Sequence, residues 1–528
     1  MFAREVATYP MQTLQSYVLG GWQAGDGEPT LLSNPTTGET VAQCGTSGVD
    51  MAAVVRHGRE VGGPALRALS FTERGRKLKE LSAAIHEHRD ELLDLAAQNG
   101  GNTRGDGKFD IDGATGTLAA YAHTAKSLGD RPYLVDGDGM QLGRTARFWG
   151  QHVWVPRQGV AVHINAFNFP AWGMMEKAAC ALLAGVPVIE KPGAATALVA
   201  WRIAQIIVES GILPEGSFQF LAGGAGDLLD HLGPQDAVAF TGSAYTGRII
   251  RGNANLVHHN VRVNVEADSI NAAVLAPDVD MSSETYGLFL RNVALDVTQK
   301  AGQKCTAVRR VFVPAEMVDD VIRDLSAEID RAPMGDPADT KHRVGPVAHA
   351  RQLKDVREGM AKLMEVCDVV HGGPEPVGDT GCFVKPTVLR AKDADADILH
   401  ELEVFGPSTT ILAYTGEADE AVRLVNRGGG GLVCSLYGED PDWIETFVLG
   451  VAPWHGRVWI ATERSAEQSL PPGMVLPGMI HGGPGRAGGG EELGGERGLE
   501  FYMQRTALQG FKGLLESRFG APEPATAE

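Results

Sequence analysis

"VAVHINAFNFPAWGMMEKAACALLAGVPVIEKPG" (residues 160–193) decides the fold class. Two apolar, β-branched runs, "VAVHI" at 160–164 and "PVIE" at 187–190, flank "WGMMEKAACALLA" at 172–184, which reads as a helix stopped by Gly185 and Pro187. Outward from this unit the alternation continues. "TALVAWRIAQIIVESG" (196–211) and "AGDLLDHLG" (225–233) read as helices, and "FQFL" (218–221) and "AVAF" (237–240) as strands. Successive β-α units of this length predict an α/β fold with a doubly wound parallel sheet.

A second α/β region runs from about 275 to 490, with helices expected near 284–300, 316–331 and 349–366. Upstream, residues 72–98 read as one long amphipathic helix with Thr72 as N-cap, Leu78, Leu81, Ile85, Leu92 and Leu95 as its stripe, and Gly100–Gly101 as its stop. "ARFWGQHVWVPRQG" (146–159) alternates like an antiparallel ribbon, and "GLEFYMQRTALQG" (498–510) offers a further strand. The expected organisation is a cofactor domain from 1–145 and 160–275, a catalytic domain from 276–490, and a small β oligomerisation arm and tail from 146–159 and 491–528. The glycine-rich "HGGPGRAGGGEELGGERG" (481–498) reads as a linker, and the tail "APEPATAE" as disordered.

The bulk composition narrows the function classes. A formal charge of −19 over 528 residues argues against a nucleic-acid partner and gives no support to an anionic membrane surface. The longest nearly apolar run, 178–189, is too short to span a bilayer. The first residues lack the apolar core of a signal peptide. Six scattered cysteines fit neither a disulfide framework nor a zinc site. A reducing cytoplasm and no metal are the expectation.

Several polar residues stand at predicted strand ends, where open α/β sheets bind ligands. Asn168 follows a strand in "INAFNFPAW", Lys191 ends one in "VIEKPGAATA", and Glu266 ends a β-rich run in "VNVEADS". In "AFTGSAYTGR", Thr241, Gly242, Ser243 and Gly247 form a GxxxxG strand-to-helix turn, which suits a pyrophosphate at a helix N-terminus. Glu403 and Phe405 lie in "ELEVFGPS", and Cys305 sits on the turn of "QKAGQKCTAV". Each alone has a bland alternative: a packing cysteine, a capping asparagine, a surface charge.

In this order, "NAFNFP", "EKP", "FTGS", "VE", "GQKC" and "EVFGP" resemble the NAD(P)-dependent aldehyde dehydrogenase superfamily, over a span from "LGGW" (19–22) and "NPTTGE" (34–39) to about residue 510. The resemblance implies Cys305 as nucleophile towards an aldehyde carbonyl, and Asn168 with the Cys305 backbone N–H as oxyanion donors. It implies Glu266 as the base that activates water to hydrolyse the thioester. Lys191, Ala194, Thr241, Gly242, Ser243, Gly247, Glu403 and Phe405 would hold the cofactor. Ala194 occupies a position where many NAD-preferring relatives carry Glu, so NADP is expected, with NAD possible.

"HGGPGRAGGGEELGG" and "YMQRTALQG" are similar to a branch acting on CoA-linked semialdehydes in aromatic degradation. That branch implies 3,4-dehydroadipyl-CoA semialdehyde or a close relative as substrate, in the stand-alone form without a fused hydratase; the β arm suggests subunit contact by strand addition, in a homodimer or homotetramer. Arg486 and the backbone of 481–490 are candidates to hold the CoA anion, and a wide entrance bordered by positive charge is expected. Open alternatives are a general aliphatic aldehyde dehydrogenase, a CoA-acylating enzyme, which would have no need of Glu266, and a catalytically silent member. Two departures stand out. Ala267, Asp268 and Ser269 follow Glu266 where the family usually has Leu-Gly-Gly, so the local path beside the cofactor is expected to differ. Lys304 precedes Cys305, and either lowers the thiol pKa or points to solvent.

Overall fold

A computed structural model describes residues 11–520; the tail expected to be disordered, 521–528, lies outside them. Two seven-stranded sheets carry the molecule. In the first, the strands run in the order Arg262–Glu266, Ala237–Thr241, Ala161–Ile164, Val188–Lys191, Phe218–Phe220, Ser16–Val18 and Gly21–Gln23. The first five are mutually parallel, which confirms the doubly wound α/β class. In the second, the order is Cys367–His371, Thr387–Ala391, Ser408–Tyr414, Val308–Pro314, Asn271–Leu275, Gly431–Tyr437 and His455–Ala461, parallel except at the first pair. Strand Asn271–Leu275 thus belongs to the second sheet, although the sequence assigned 271–275 to the cofactor domain.

Physical reasons for the other differences are local. The expected helix over 72–98 is two helices, Phe71–Glu87 and Arg89–Gly100, separated at His88. Its N-cap is Ser70, not Thr72, because Ser70 and Glu73 close a reciprocal capping box. "AGDLLDHLG" has room only for a 3₁₀ turn, Leu228–His231. The arm has three antiparallel strands: the further strand expected at 498–510 forms as Met503–Phe511 and pairs with Phe148–Pro156, and Leu134–Gln141 adds a third. Residues 481–498 are no linker. Ile480–Gly483 and Gly490–Leu493 pair as a hairpin whose strands pack beside His455–Ala461 of one sheet and Arg262–Glu266 of the other.

Helix Trp172–Ala184 is apolar nearly all round because it is buried nearly all round. Its N-terminus has no cap of its own. Asp110, from helix Arg104–Leu128, supplies one from outside, accepting the Trp172 N–H at 2.7 Å and the Ala171 N–H at 3.3 Å. One turn earlier, Asp106 accepts the backbone N–H of Lys300 at 2.9 Å. A single buried helix face therefore grips two distant loops, one carrying Asn168 and the other Cys305. Asp110→Ala leaves two buried N–H groups unpartnered and is expected to cost about 1–3 kcal/mol. Chemical denaturation should show a lower midpoint at unchanged slope; a variant within about 0.5 kcal/mol of the parent would remove this role.

Candidate active site

Chain geometry at the ends of the strands builds the site. Asn168, Thr241 and Glu266 each lie at or just past the C-terminal end of a strand of the first sheet. Cys305 approaches from the second sheet, on the loop that enters Val308–Pro314. That loop begins with an unusual turn: Lys300, Ala301 and Gly302 all have positive φ, at 54°, 49° and 68°. Two non-glycine residues in this region store strain of roughly 1–3 kcal/mol each, so the surroundings must hold them there. The Asp106 carboxylate binds the Lys300 N–H, and the Lys300 ammonium donates to Asn102 Oδ1 at 2.9 Å and lies over the Phe169 ring at 4.7 Å. At Gly302 a Cβ would collide with the Gly406 carbonyl, so glycine is required by both space and φ.

One cavity contains Cys305, Glu266, Asn168, Thr241, Glu176 and His481, with apolar walls from Phe109, Phe169, Trp172 and Val475. The Asn168 amide donates to the Gln303 carbonyl at 3.0 Å, which fixes the side chain beside the cysteine turn and leaves its second N–H free to serve the cavity. Burial pushes the Cys305 thiol well above its ordinary pKa, and Glu266 next to it pushes further. Lys304 does neither of the things expected of it. It is buried, turned away from the sulfur, and donates to Asp296 at 2.6 Å and Gln299 at 3.0 Å.

His481 is the residue that the sequence reading missed. It lies in a segment that composition marks as low complexity, and only the hairpin pairing carries it into the site. Its Nε2 is 3.0 Å from Glu266 Oε2 and 3.9 Å from Cys305 Sγ. Deeper in, Lys177 Nζ bridges Glu176 at 3.1 Å and Glu492 at 3.2 Å, all three buried. The substitutions after Glu266 are absorbed without strain: none of the three has positive φ. The Ala267 N–H donates to the Ala487 carbonyl, Asp268 accepts the Ala244 N–H at 2.8 Å, and the Ser269 N–H donates to Glu403 at 3.3 Å.

The remaining sequence candidates lie apart from the cavity walls. Lys191 ends its strand with Nζ on the Pro192 carbonyl at 3.0 Å, and Ala194 opens a 3₁₀ turn. Ser243 caps helix Ala244–Arg251, the Gly242 N–H donates to the Glu266 carbonyl, and Gly247 packs on Val265. Burial raises the Glu403 pKa to about 7, against the pull of Arg309 3.9 Å away. Phe405 packs edge-on to Phe167 at 5.9 Å between centroids. Arg486, expected near a CoA anion, donates to the His400 and Glu401 carbonyls, and most of 481–490 is buried.

A thiol, a carboxylate and an amide donor converging on one apolar-walled cavity can form and hydrolyse a thioester. The aldehyde dehydrogenase family model matches residues 22–508. The chain belongs to the aldehyde dehydrogenase family. It is 42% identical over 478 residues to the 3,4-dehydroadipyl-CoA semialdehyde dehydrogenase of Aromatoleum evansii, covering 89% of this chain and 93% of that one. Among solved structures, lactaldehyde dehydrogenase from Escherichia coli superposes with a TM-score of 0.83 at 24% identity, covering 95% and 99% of the two chains. A 3,6-anhydro-L-galactose dehydrogenase in complex with NAP does so with 0.82 at 22% identity, covering 94% and 100%. The protein is an oxidoreductase of the aldehyde group. Among the described residues of the dehydrogenase, no helix is long and apolar enough to cross a membrane.

The residues present fit a nicotinamide dinucleotide. Thr241 Oγ1 is buried with no partner at the cavity edge, where a polar group of the dinucleotide would satisfy it. Lys304→Ala in this dehydrogenase strips Asp296 of its cation in a buried setting and is expected to cost about 3–5 kcal/mol. Urea unfolding measures that loss. Unchanged stability with a raised thiol pKa would show that Lys304 acts on the sulfur after all.

Proposed function

We propose that the dehydrogenase oxidises a CoA-linked semialdehyde, 3,4-dehydroadipyl-CoA semialdehyde or a close relative, to the carboxylic acid, with NADP preferred over NAD. The single observation that carries this reading is the 42% identity along 89% of the chain to an enzyme of that name. Support for the chemistry comes from the meeting of Cys305, Glu266 and Asn168 in one cavity.

In this reading the Cys305 thiolate adds to the aldehyde carbon, and the Asn168 N–H and the Cys305 backbone N–H take the oxyanion. One such donor is worth roughly 3–4 kcal/mol in the transition state. Lys191, Thr241, Gly242, Ser243, Gly247, Glu403 and Phe405 would hold the dinucleotide, which when bound supplies the hydride acceptor. Collapse of the hemithioacetal leaves a thioester on Cys305. Glu266, within reach of both sulfur and cavity, takes the proton of the water that hydrolyses it. Ala194 places no carboxylate where it would repel a 2′-phosphate, which favours NADP. The CoA part lies far from the reacting carbon and acts through remote binding energy. The three-stranded arm, with Phe148, Val155 and Phe511 exposed, is the proposed surface for a homodimer or homotetramer, in the cytoplasm.

Cys305→Ala should lower turnover by about a thousandfold or more while cofactor binding, followed by fluorescence, is retained. Glu266→Gln should give a burst of reduced cofactor before slow turnover; undiminished steady turnover in either variant would overturn the assigned role.

Substrate and cofactor are tested together by comparing a CoA-linked aldehyde with a free aldehyde of matching chain length, each with NADP and NAD. The CoA-linked substrate should lead in kcat/KM by at least about tenfold, roughly 1.4 kcal/mol of transition-state binding, and NADP should lead NAD. Equal values for the two aldehydes would make this an enzyme of ordinary aliphatic aldehydes, and equal or better efficiency with NAD would reverse the cofactor assignment.

A further inference from the structure

The cysteines are too scattered along the chain to make a zinc motif, yet folding gathers a donor set around one of them. Cys305 Sγ, His481 Nε2 and a Glu266 carboxylate oxygen lie within 4.8 Å of one another. Nε2 is 3.0 Å from Glu266 Oε2 and 3.9 Å from Sγ. Tetrahedral zinc, with bonds of about 2.0–2.3 Å to oxygen, nitrogen and sulfur, sets its ligand atoms roughly 3.4–3.6 Å apart. The two measured separations straddle that spacing, so shifts of no more than about 0.5 Å complete it. Glu266 is 1% exposed, and neither of its carboxylate oxygens has an aligned hydrogen-bond partner. It is a buried acceptor with coordination capacity to spare. The cavity it lines also receives Cys305 and His481, and Cys305 is only partly buried, so an ion has a way in.

We propose that Cys305, His481 and Glu266 form a binding site for a borderline-soft divalent cation, Zn²⁺, which switches the enzyme off reversibly. The thiol proton and any proton on Nε2 pass to solvent as Zn–S, Zn–N and Zn–O bonds form, and no electron is transferred. The dication with a thiolate, a carboxylate and a neutral imidazole is a neutral unit, which suits a buried site. Thiolate and imidazole select zinc over the hard Mg²⁺ and Ca²⁺, which take oxygen ligands. Three protein ligands leave the fourth position to water from the cavity. While bound, zinc occupies both the sulfur that attacks the aldehyde and the carboxylate that activates water, so both half-reactions stop. The neighbouring trio Glu176, Glu266 and Glu492 takes no second ion, because Lys177 already bridges Glu176 and Glu492. Arg457, the other cation facing His481, opposes the ion's charge but donates to the Met474 carbonyl. His481 Nδ1 is buried without a partner. A metal-bound histidine usually gives that N–H to an acceptor, and losing one costs roughly 10–100-fold in affinity. The site therefore suits an exchangeable ion, not a resident one.

The effect on activity rests on Cys305 as nucleophile; binding itself is measured without aldehyde or cofactor. The full-length enzyme, stripped with EDTA and dialysed, is titrated with zinc alone against a fluorescent chelator. One zinc per chain should bind in the micromolar range or tighter, undisturbed by millimolar magnesium. Cys305→Ala and His481→Phe should each weaken it at least tenfold. Cobalt in place of zinc should give a thiolate-to-metal charge-transfer band that Cys305→Ala abolishes, a signature that a merely structural cysteine does not produce. Zinc should also block iodoacetamide alkylation of Cys305 and halt turnover, both restored by EDTA. Zinc affinity unchanged in either variant would place the ion elsewhere and overturn the site. A cobalt complex of the parent without the band would do the same, and that spectrum decides the matter even should His481→Phe fail to fold. Full turnover in Cys305→Ala would overturn the nucleophile assignment and leave the zinc site standing, as would a substrate other than a CoA-linked aldehyde.

Discussion

Two carboxylates one helical turn apart, Asp106 and Asp110, hold together what the two sheets bring from opposite sides. Both are buried on helix Arg104–Leu128, and each spends its charge on backbone N–H groups: Lys300 for one, Ala171 and Trp172 for the other. Spacing i,i+4 puts the pair on one helix face. Their oxygens, as acceptors, therefore set how far the Asn168 loop stands from the Cys305 loop. Lys300 closes the arrangement from the other side, with its ammonium among Asn102, Phe169 and the two carboxylates. The left-handed run at 300–302 persists because leaving it would strip Asp106 Oδ1 of the Lys300 N–H, while Thr103 serves only the other oxygen.

The protein carries a net charge of −19, yet its interior is organised by local pairs. Lys304 with Asp296, Lys177 with Glu176 and Glu492, and Arg309 with Glu403 surround the cavity at close range. In a low-dielectric setting such pairs act over a few ångströms, and the overall field has little bearing on the sulfur. This is why Lys304, adjacent in sequence to Cys305, pairs with Asp296, whereas His481, 176 residues away in sequence, lies against the sulfur.

Much of the first sheet was legible because its signals are short-range. Apolar runs such as 160–164 and 187–190, separated by an amphipathic or apolar stretch of helix length, have few other ways to bury themselves. The meeting of Cys305, Glu266 and Asn168 in one cavity was also foreshadowed, since motif order along the chain sets each beside an end of a sheet strand. Helix limits were less so: Ser70 rather than Thr72 caps the helix at 71 because the choice depends on a reciprocal bond with Glu73.

By itself the sequence determined the α/β class and the family, and it singled out Cys305, Glu266 and Asn168, all from local pattern and motif order. Only the tertiary structure decided which sheet takes strand Asn271–Leu275, that the glycine-rich 481–498 forms a hairpin along both sheets, that Arg486 caps carbonyls, and that His481 meets Glu266. The physical reason is the same in each case. Glycine-rich chain has no periodicity from which to read a strand, and a charge is assigned to its partner by distance in space, which separation along the chain does not encode.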